Sequence, residues 1–307
     1  MRIGILSRNP TLYSTRRLAE AAWERGHQVQ IIDTMAVAVH LGQDGLPGGE
    51  ARLVANGLAG LATTKPLPAL DAIIPRIGAS VTFYGLAVVR QFENAGVFTS
   101  ASSQGIARSR DKLESLQIMA RANIPIPRTA VVARPEALFA AVAAVGGLPV
   151  VIKLIRGTQG QGVILANYLT TISAVLKRAK ELRQQAILQE FIAEAEGGDQ
   201  RVIVVGNRCV AAMARQAAAG EFRSNLHRGG SASAIRLDAA TESLALRAAQ
   251  AHGLAVAGVD LIRSRRGSLV LEVNSSPGLE GIEKATGSDV AGAIVGYLEG
   301  ATGRRPR

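Results

Sequence analysis

The stretch Val259-Asp260-Leu261-Ile262-Arg263-Ser264-Arg265-Arg266-Gly267-Ser268-Leu269-Val270-Leu271-Glu272-Val273-Asn274 holds two apolar runs separated by a polar, arginine-rich turn. It reads as a hairpin with a three-residue loop, in which Gly267 supplies the left-handed position of a bulge. Centring the hairpin on Arg266 sets Asp260 opposite Glu272, and strand alternation puts Asn274 on the same face as Glu272. Opposed carboxylates on an apolar hairpin repel, and a divalent cation between them removes the repulsion. The donors are all oxygen, with no His or Cys nearby. That set suits magnesium or manganese, completed by phosphate oxygens and water, rather than zinc. A protonated carboxylate pair is the metal-free alternative.

Upstream, Arg156-Gly157-Thr158-Gln159-Gly160-Gln161-Gly162 separates two apolar strands, Val150 to Leu154 and Val163 to Ala166. Rossmann and Walker loops are followed by a helix, so this loop is neither. Its glycines let backbone amides approach a polyphosphate, and a hairpin flap can close over it. A plain turn is the competing reading. Lys153 lies in a strand so apolar that both faces are expected to be covered, so its charge asks for an anion. Lys112 lies near the start of a helix, with Ser109 as the expected cap, where the macrodipole disfavours a cation. A bound phosphate accounts for either lysine, and so does a salt bridge.

Further out, Ile3 to Leu6, Ser14 to Arg25 and Gln28 to Ile32 predict strand, helix and strand, the opening of a doubly wound domain. The segment 36–69 is rich in Gly, Ala, Pro and Thr and is expected to be a surface connection with weak local structure. A strand at Ala72 to Pro75 and a helix at Thr82 to Ala95 follow. The next predicted helix runs from Asp111 to Ala122 and is closed by Pro125 and Pro127. Helices are predicted at Arg134 to Val145, Thr171 to Arg183 and Thr241 to His252, and strands at Ala186 to Ile192 and Arg201 to Val205. A chain of 307 residues exceeds the usual single-core limit of about 250, and the expected units are 1–98, 99–185 and 186–307.

Composition narrows the function classes. With 48% hydrophobic and 19% charged residues and 33 Gly, the chain suits a compact α/β protein rather than a disordered one. A net charge of +11 admits an anionic substrate. The arginines are dispersed, clustering only in the tail at Arg304, Arg305 and Arg307, and aromatics are scarce, which speaks against sequence-specific nucleic-acid binding. Cys209, alone and flanked by Val210, Ala211 and Ala212, excludes disulfides and cysteine-metal sites. It is expected to be a buried structural thiol in a reducing cytoplasm. The amino terminus carries no signal-peptide pattern. The uncharged run Ala137 to Ile152 is shorter than the roughly 20 residues of a membrane span and is broken by Gly146-Gly147-Leu148-Pro149.

Taken together, Ser109-Arg110-Asp111-Lys112, Val151-Ile152-Lys153, Gly157 to Gly162, Gln189-Glu190-Phe191-Ile192, Asp199-Gln200-Arg201, Phe222 to Gly230 and Glu272-Val273-Asn274-Ser275-Ser276-Pro277-Gly278 closely resemble the ATP-grasp superfamily. Within it they are similar to the RimK group, the ribosomal protein glutamate ligases. The likeness extends to Ile5-Leu6-Ser7-Arg8 and Pro75-Arg76-Ile77-Gly78. It implies an ATP-grasp fold of α/β (α+β) class with an amino-terminal Rossmann-like, doubly wound subdomain and ATP between the central and carboxy-terminal parts. By matching position, Lys112, Lys153, Gly157, Gly160 and Gly162 would bind phosphates, Glu190 and Phe191 would meet adenine, and Asp199 would hold the ribose. Arg223, Ser224 and Asn225 would face the phosphates and an acyl phosphate, Arg215 the developing charge. Asp260, Glu272 and Asn274 would hold two magnesium or manganese ions. Gln216 stands where the pattern expects a second arginine.

The resemblance further implies an ATP-dependent, ADP-forming ligase that adds glutamate to the carboxy terminus of a small-subunit ribosomal protein, in the cytoplasm, as a homo-oligomer such as a tetramer. Two other readings remain open at this point. One is a related ligase that adds glutamate or another amino acid to a carrier protein or a small cofactor; the other is a nucleotide-binding regulatory protein without turnover.

Overall fold

The computed structural model describes residues 1–41, 50–56, 62–67, 69–132, 135–154, 162–182, 185–218, 221–222, 224 and 229–303. The amino-terminal part runs β1 (Arg2–Leu6), α1 (Tyr13–Glu24), β2 (Gln28–Ile32), β3 (Val37–His40), β4 (Glu50–Asn56), β5 (Ala62–Pro66), β6 (Ala72–Pro75), α2 (Thr82–Asn94) and β7 (Phe98–Thr99). Its parallel sheet has the order β2-β1-β6-β7. The buried run of β1, with Ile3, Ile5 and Leu6 fully inaccessible, is what a strand covered on both faces requires. The segment expected to carry weak local structure is instead folded. Strands β3, β4 and β5 form an antiparallel sheet, with Val37 opposite Leu53 and Leu53 opposite Lys65. The scattered Gly, Pro and Thr hid pairing that is decided across strands rather than by local periodicity.

The central part comprises α3 (Ser103–Arg110), α4 (Lys112–Arg121), β8 (Thr129–Val131), α5 (Leu138–Ala144), β9 (Val150–Leu154), β10 (Val163–Ala166), α6 (Leu169–Glu181) and β11 (Ala186–Glu190). The expected cap is corrected here. Asp111, not Ser109, caps α4 by accepting hydrogen bonds from the amides of Leu113 and Glu114, while Ser109 closes α3 through the carbonyl of Ile106. Aspartate accepts two amides where the short serine hydroxyl reaches one turn back. The helix expected from Arg134 starts as a single 3-10 turn and becomes α-helical at Leu138. The sheet order is β10-β9-β11-β8, so pairing carries this sheet through Glu190, past the expected division at 185 and 186.

The remainder holds β12 (Gly198–Val205), β13 (Arg208–Gln216), β14 (Ser231–Ala234), α7 (Ala239–His252), β15 (Val256–Ser264), β16 (Gly267–Asn274), α8 (Glu280–Thr286) and α9 (Val290–Thr302). Its antiparallel sheet runs β14-β13-β12-β15-β16. Helix α9 returns to the amino-terminal part. Val290, Ile294 and Leu298 share a core with Leu18 and Ala22 of α1, and Arg25 and His27 bind Glu299 across the same contact. Burying each such aliphatic side chain contributes about 1.5–3 kcal/mol. The first and last parts of the chain are thereby fastened together around the carboxy-terminal sheet. Cys209 is half-buried rather than buried, and its thiol contacts the carbonyl of Glu242 at 3.8 Å. Among the described residues, no helix is long and apolar enough to cross a membrane.

Candidate nucleotide and metal site

Strands β15 and β16 bring Asp260 opposite Glu272, the register that the sequence predicts, but by a different route. The loop has two residues, Arg265 and Arg266, because Ser264 pairs with Gly267; the expected three-residue loop is corrected. A bulge between Asp260 and Leu261 then shifts the ladder by one residue and restores the alignment. Gly267, at a φ of 96°, takes the left-handed conformation that the turn demands. Asn274 lies two residues beyond Glu272 and pairs with Gly258.

Asp260 is buried within a ladder of charges that crosses the sheet. Arg201 on β12 grips it with two hydrogen bonds, at 2.7 and 2.6 Å, and Arg215 on β13 approaches to 3.2 Å. Arg215 in turn donates to both oxygens of Asp199, at 2.6 and 2.5 Å. Alternation explains the ladder: Asp199 and Arg201 are two residues apart on β12, opposite Arg215 on one side and Asp260 on the other. Burial alone would raise the Asp260 carboxyl, yet the two guanidiniums hold it below its ordinary value. Sequence reasoning gave no role to Arg201. The strand from Arg201 and the hairpin strand with Asp260 were both expected, but their pairing, which sets Arg201 opposite Asp260, was not.

Glu272 is exposed, and the field around it is cationic. Burial lowers the Lys153 ammonium, Glu272 and Asp260 pull it up, and Lys112 pushes it down again. Lys112 is likewise lowered by burial, opposed by Glu272 and reinforced by Arg110. Both lysines thus lie within the field of Glu272. Among the described residues no three His, Cys, Asp or Glu side chains gather. The third oxygen donor is the amide of Asn274, whose buried Nδ2 end has no partner. The two carboxylates and the Asn274 Oδ1 make an all-oxygen set that fits a hard divalent cation, whereas the unpartnered Nδ2 is a donor and asks for an acceptor.

Of the other expected site residues, Glu190 accepts from the Arg128 amide at 3.0 Å and pairs with Arg266 from the hairpin turn at 2.5 Å. Phe191 follows it, half-buried. Ser224 is buried and hydrogen-bonds toward Asp199. Gly162 has a φ of 80°, and a Cβ there would meet Leu154 at 3.2 Å. Gln216 turns its amide to the carbonyl of Glu196 at 2.7 Å. Gly157, Gly160, Arg223 and Asn225 lie outside the described residues. Two open cavities, of about 320 Å³ beside Tyr13 and Asp289 and about 660 Å³ beside Leu244 and Arg263, are separate from these groups.

The chain matches the RimK PreATP-grasp domain over residues 1–106 and the RimK-like ATP-grasp domain over residues 109–298. A protein of Shewanella amazonensis named probable alpha-L-glutamate ligase 1 is 50% identical over 307 residues, 100% of this chain and 98% of its own. A probable alpha-L-glutamate ligase of Pseudomonas syringae is 52% identical over 303 residues, covering 99% and 97%. Among solved structures, the ATP-grasp ligase PsnB, complexed with a precursor variant, Mg and ADP, has a TM-score of 0.69 at 21% identity, covering 99% of this chain and 98% of that one. The RimK domain protein of Sphaerobacter thermophilus has a TM-score of 0.68 at 22% identity, covering 97% and 99%. With an α/β architecture of this kind and both family domains matched along nearly its whole length, the chain belongs to the RimK-like ATP-grasp family.

Proposed function

We propose that this ATP-grasp ligase adds L-glutamate to the carboxy terminus of a small-subunit ribosomal protein through an acyl phosphate. The observation that carries the reading is the register pair Asp260 and Glu272 in the last hairpin, with Lys112 and Lys153 lying in the field of Glu272. Full-length relatives named as alpha-L-glutamate ligases support glutamate as the amino acid. PsnB, solved with the precursor peptide PsnA2 and AMPPNP, supports a peptide acceptor.

In this reading Lys112 and Lys153 neutralise the polyphosphate, and their burial makes that pairing strong because water competes weakly there. Magnesium or manganese, one or two ions, would be held by Glu272, Asn274 and Asp260 and would supply charge neutralisation at the transferring phosphoryl group. Asp260 enters that set only by sharing its carboxylate with Arg201 and Arg215. An acceptor carboxylate oxygen bonds to the terminal phosphorus as the bond to ADP breaks. The glutamate amine then attacks the acyl carbon, phosphate leaves with the bonding pair, and the amine gives up a proton. Arg215, oriented by Asp199, faces the charge that develops on the acyl group. The geometry favours this orienting role for Asp199 over that of a free ribose acceptor. By the family pattern, Glu190 and Phe191 would border the adenine, and Arg223, Ser224, Asn225, Gly157, Gly160 and Gly162 would serve the phosphates. No protein nucleophile is needed, since positioning and charge neutralisation carry the reaction.

The test is to incubate the protein with ATP, magnesium and each amino acid, with and without the ribosomal protein, and to follow phosphate release and acceptor mass together. Glutamate-dependent mass gain coupled to phosphate release is expected. Nucleotide binding with no turnover under any combination overturns the proposal.

A further inference from the structure

Arg76 is the first residue after β6, at the carboxyl end of the amino-terminal parallel sheet, where open α/β sheets bind their ligands. Arg110 ends α3, and its Nη2 donates to the carbonyl of Ile77 at 2.5 Å, which docks its guanidinium against the residue that follows Arg76. The end of β6 touches the hairpin site: Ser276, two residues past Asn274, donates to the carbonyl of Pro75, next to Arg76, at 3.4 Å. Neither arginine has an acidic hydrogen-bond or ion-pair partner among the described residues, and the Nε of Arg110 is buried with no partner at all. Two half-buried cations of like sign, without a counter-charge in contact, are unfavourable unless an anion joins them. Burial and the charge of Arg110 push the Arg76 guanidinium down to about 10, and burial also lowers Arg110, against the pull of Glu272.

We propose that Arg76 and Arg110 form the carboxylate-binding subsite of the ligase, holding a substrate carboxylate beside Glu272 and Asn274. The inference rests on the ligase reading above. Guanidinium forks match carboxylates with two parallel hydrogen bonds, which a lysine cannot reproduce. Lys112 and Lys153 already answer the polyphosphate, so an additional guanidinium pair at the junction of β6 and α3 serves a different anion. Two substrates carry such a group: the incoming glutamate and the carboxy terminus of the acceptor.

Initial rates of the full chain and of the variants Arg76→Ala, Arg110→Ala, Arg76→Lys and Arg110→Lys separate the two sources. L-glutamate, a synthetic acceptor peptide ending in glutamate, and ATP are varied in turn. Loss of a charge-assisted pair raises KM for one carboxylate substrate by about 10- to 100-fold. The KM for ATP stays within about twofold, and the lysine variants recover part of the loss. A rise confined to glutamate assigns the subsite to the incoming amino acid, and a rise confined to the peptide assigns it to the acceptor. Both values unchanged, or a shift in ATP instead, overturns the inference while leaving the ligase reading intact. If the wild-type chain shows no turnover, the ligase reading fails separately. Calorimetric titration with L-glutamate and with the peptide then decides: binding lost in Arg76→Ala supports the subsite, and equal or absent binding in the wild type overturns it.

Discussion

Asp260 and Glu272 face each other in the same hairpin, yet neutralising them has opposite consequences for the fold. Glu272 is exposed and has no ion pair among the described residues, and its attraction for Lys112 and Lys153 is screened by water. Glu272→Gln is therefore expected to change stability by no more than about 0.5 kcal/mol. The Asp260 side chain is 8% exposed and answers Arg201 and Arg215, whose side chains are 21% and 4% exposed. Removing one partner from a buried ion pair costs about 3–5 kcal/mol. Asp199 still answers Arg215, and an asparagine oxygen still accepts from Arg201, so the lower end, about 3 kcal/mol, applies to Asp260→Asn. At roughly 2–4 °C per kcal/mol, this corresponds to a fall in Tm of about 6–12 °C. Both variants are expected to lose at least about 100-fold in ligation, because each removes a charge that would neutralise the transferring phosphoryl group. The paired assay is a thermal melt by circular dichroism alongside glutamate-dependent phosphate release. Near-normal turnover of Glu272→Gln would refute the metal assignment, and a wild-type melting temperature for Asp260→Asn would refute the buried charge ladder.

Lys153→Met should weaken ATP binding by about 10- to 100-fold, measured by fluorescent-nucleotide displacement, since a charged phosphate partner is lost. The ligand-free protein should not be destabilised by that change. The lysine's folded pKa lies below its unfolded value, so between the two the unfolded chain binds more protons and stability rises with pH; methionine removes that pH dependence. The Cys209 thiol, pushed up to about 11 mainly by burial, should react slowly with iodoacetamide at neutral pH and accelerate about tenfold per pH unit until near that value. A Cβ at Gly258 would sit 2.8 Å from the Pro277 ring, so Gly258→Ala should cost about 1–3 kcal/mol in denaturant titration by shifting the Asn274 to Gly278 loop.

Much of the carboxy-terminal hairpin was legible because alternation over two apolar runs fixes which residues share a face. Its turn was not: a two-residue loop and a bulge compensate one another, and only their sum is visible in the pattern. Strands β1, β2, β6, β9 and β10 emerged from continuous apolar runs. Strands β3, β4 and β5 did not, because their pairing partners rather than their own composition make them strands. Lys153 was found as a charge in an apolar strand, and Lys112 as a cation at a helix start. Arg201 escaped notice because its role depends on which acid faces it across the ladder, and Arg110 because its partner is a backbone carbonyl on another element. That juxtaposition is a property of the tertiary fold, set by strand pairing rather than by the sequence of either strand alone.

The most direct measurement is a crystal structure of the full chain with a non-hydrolysable ATP analogue and manganese, with the ions located by anomalous scattering. The account predicts manganese bound by Glu272 and Asn274, with Asp260 reaching it from beside Arg201, and the phosphates meeting Lys112 and Lys153. Manganese peaks remote from Glu272 and Asn274, or a polyphosphate that leaves both lysines untouched, would contradict it.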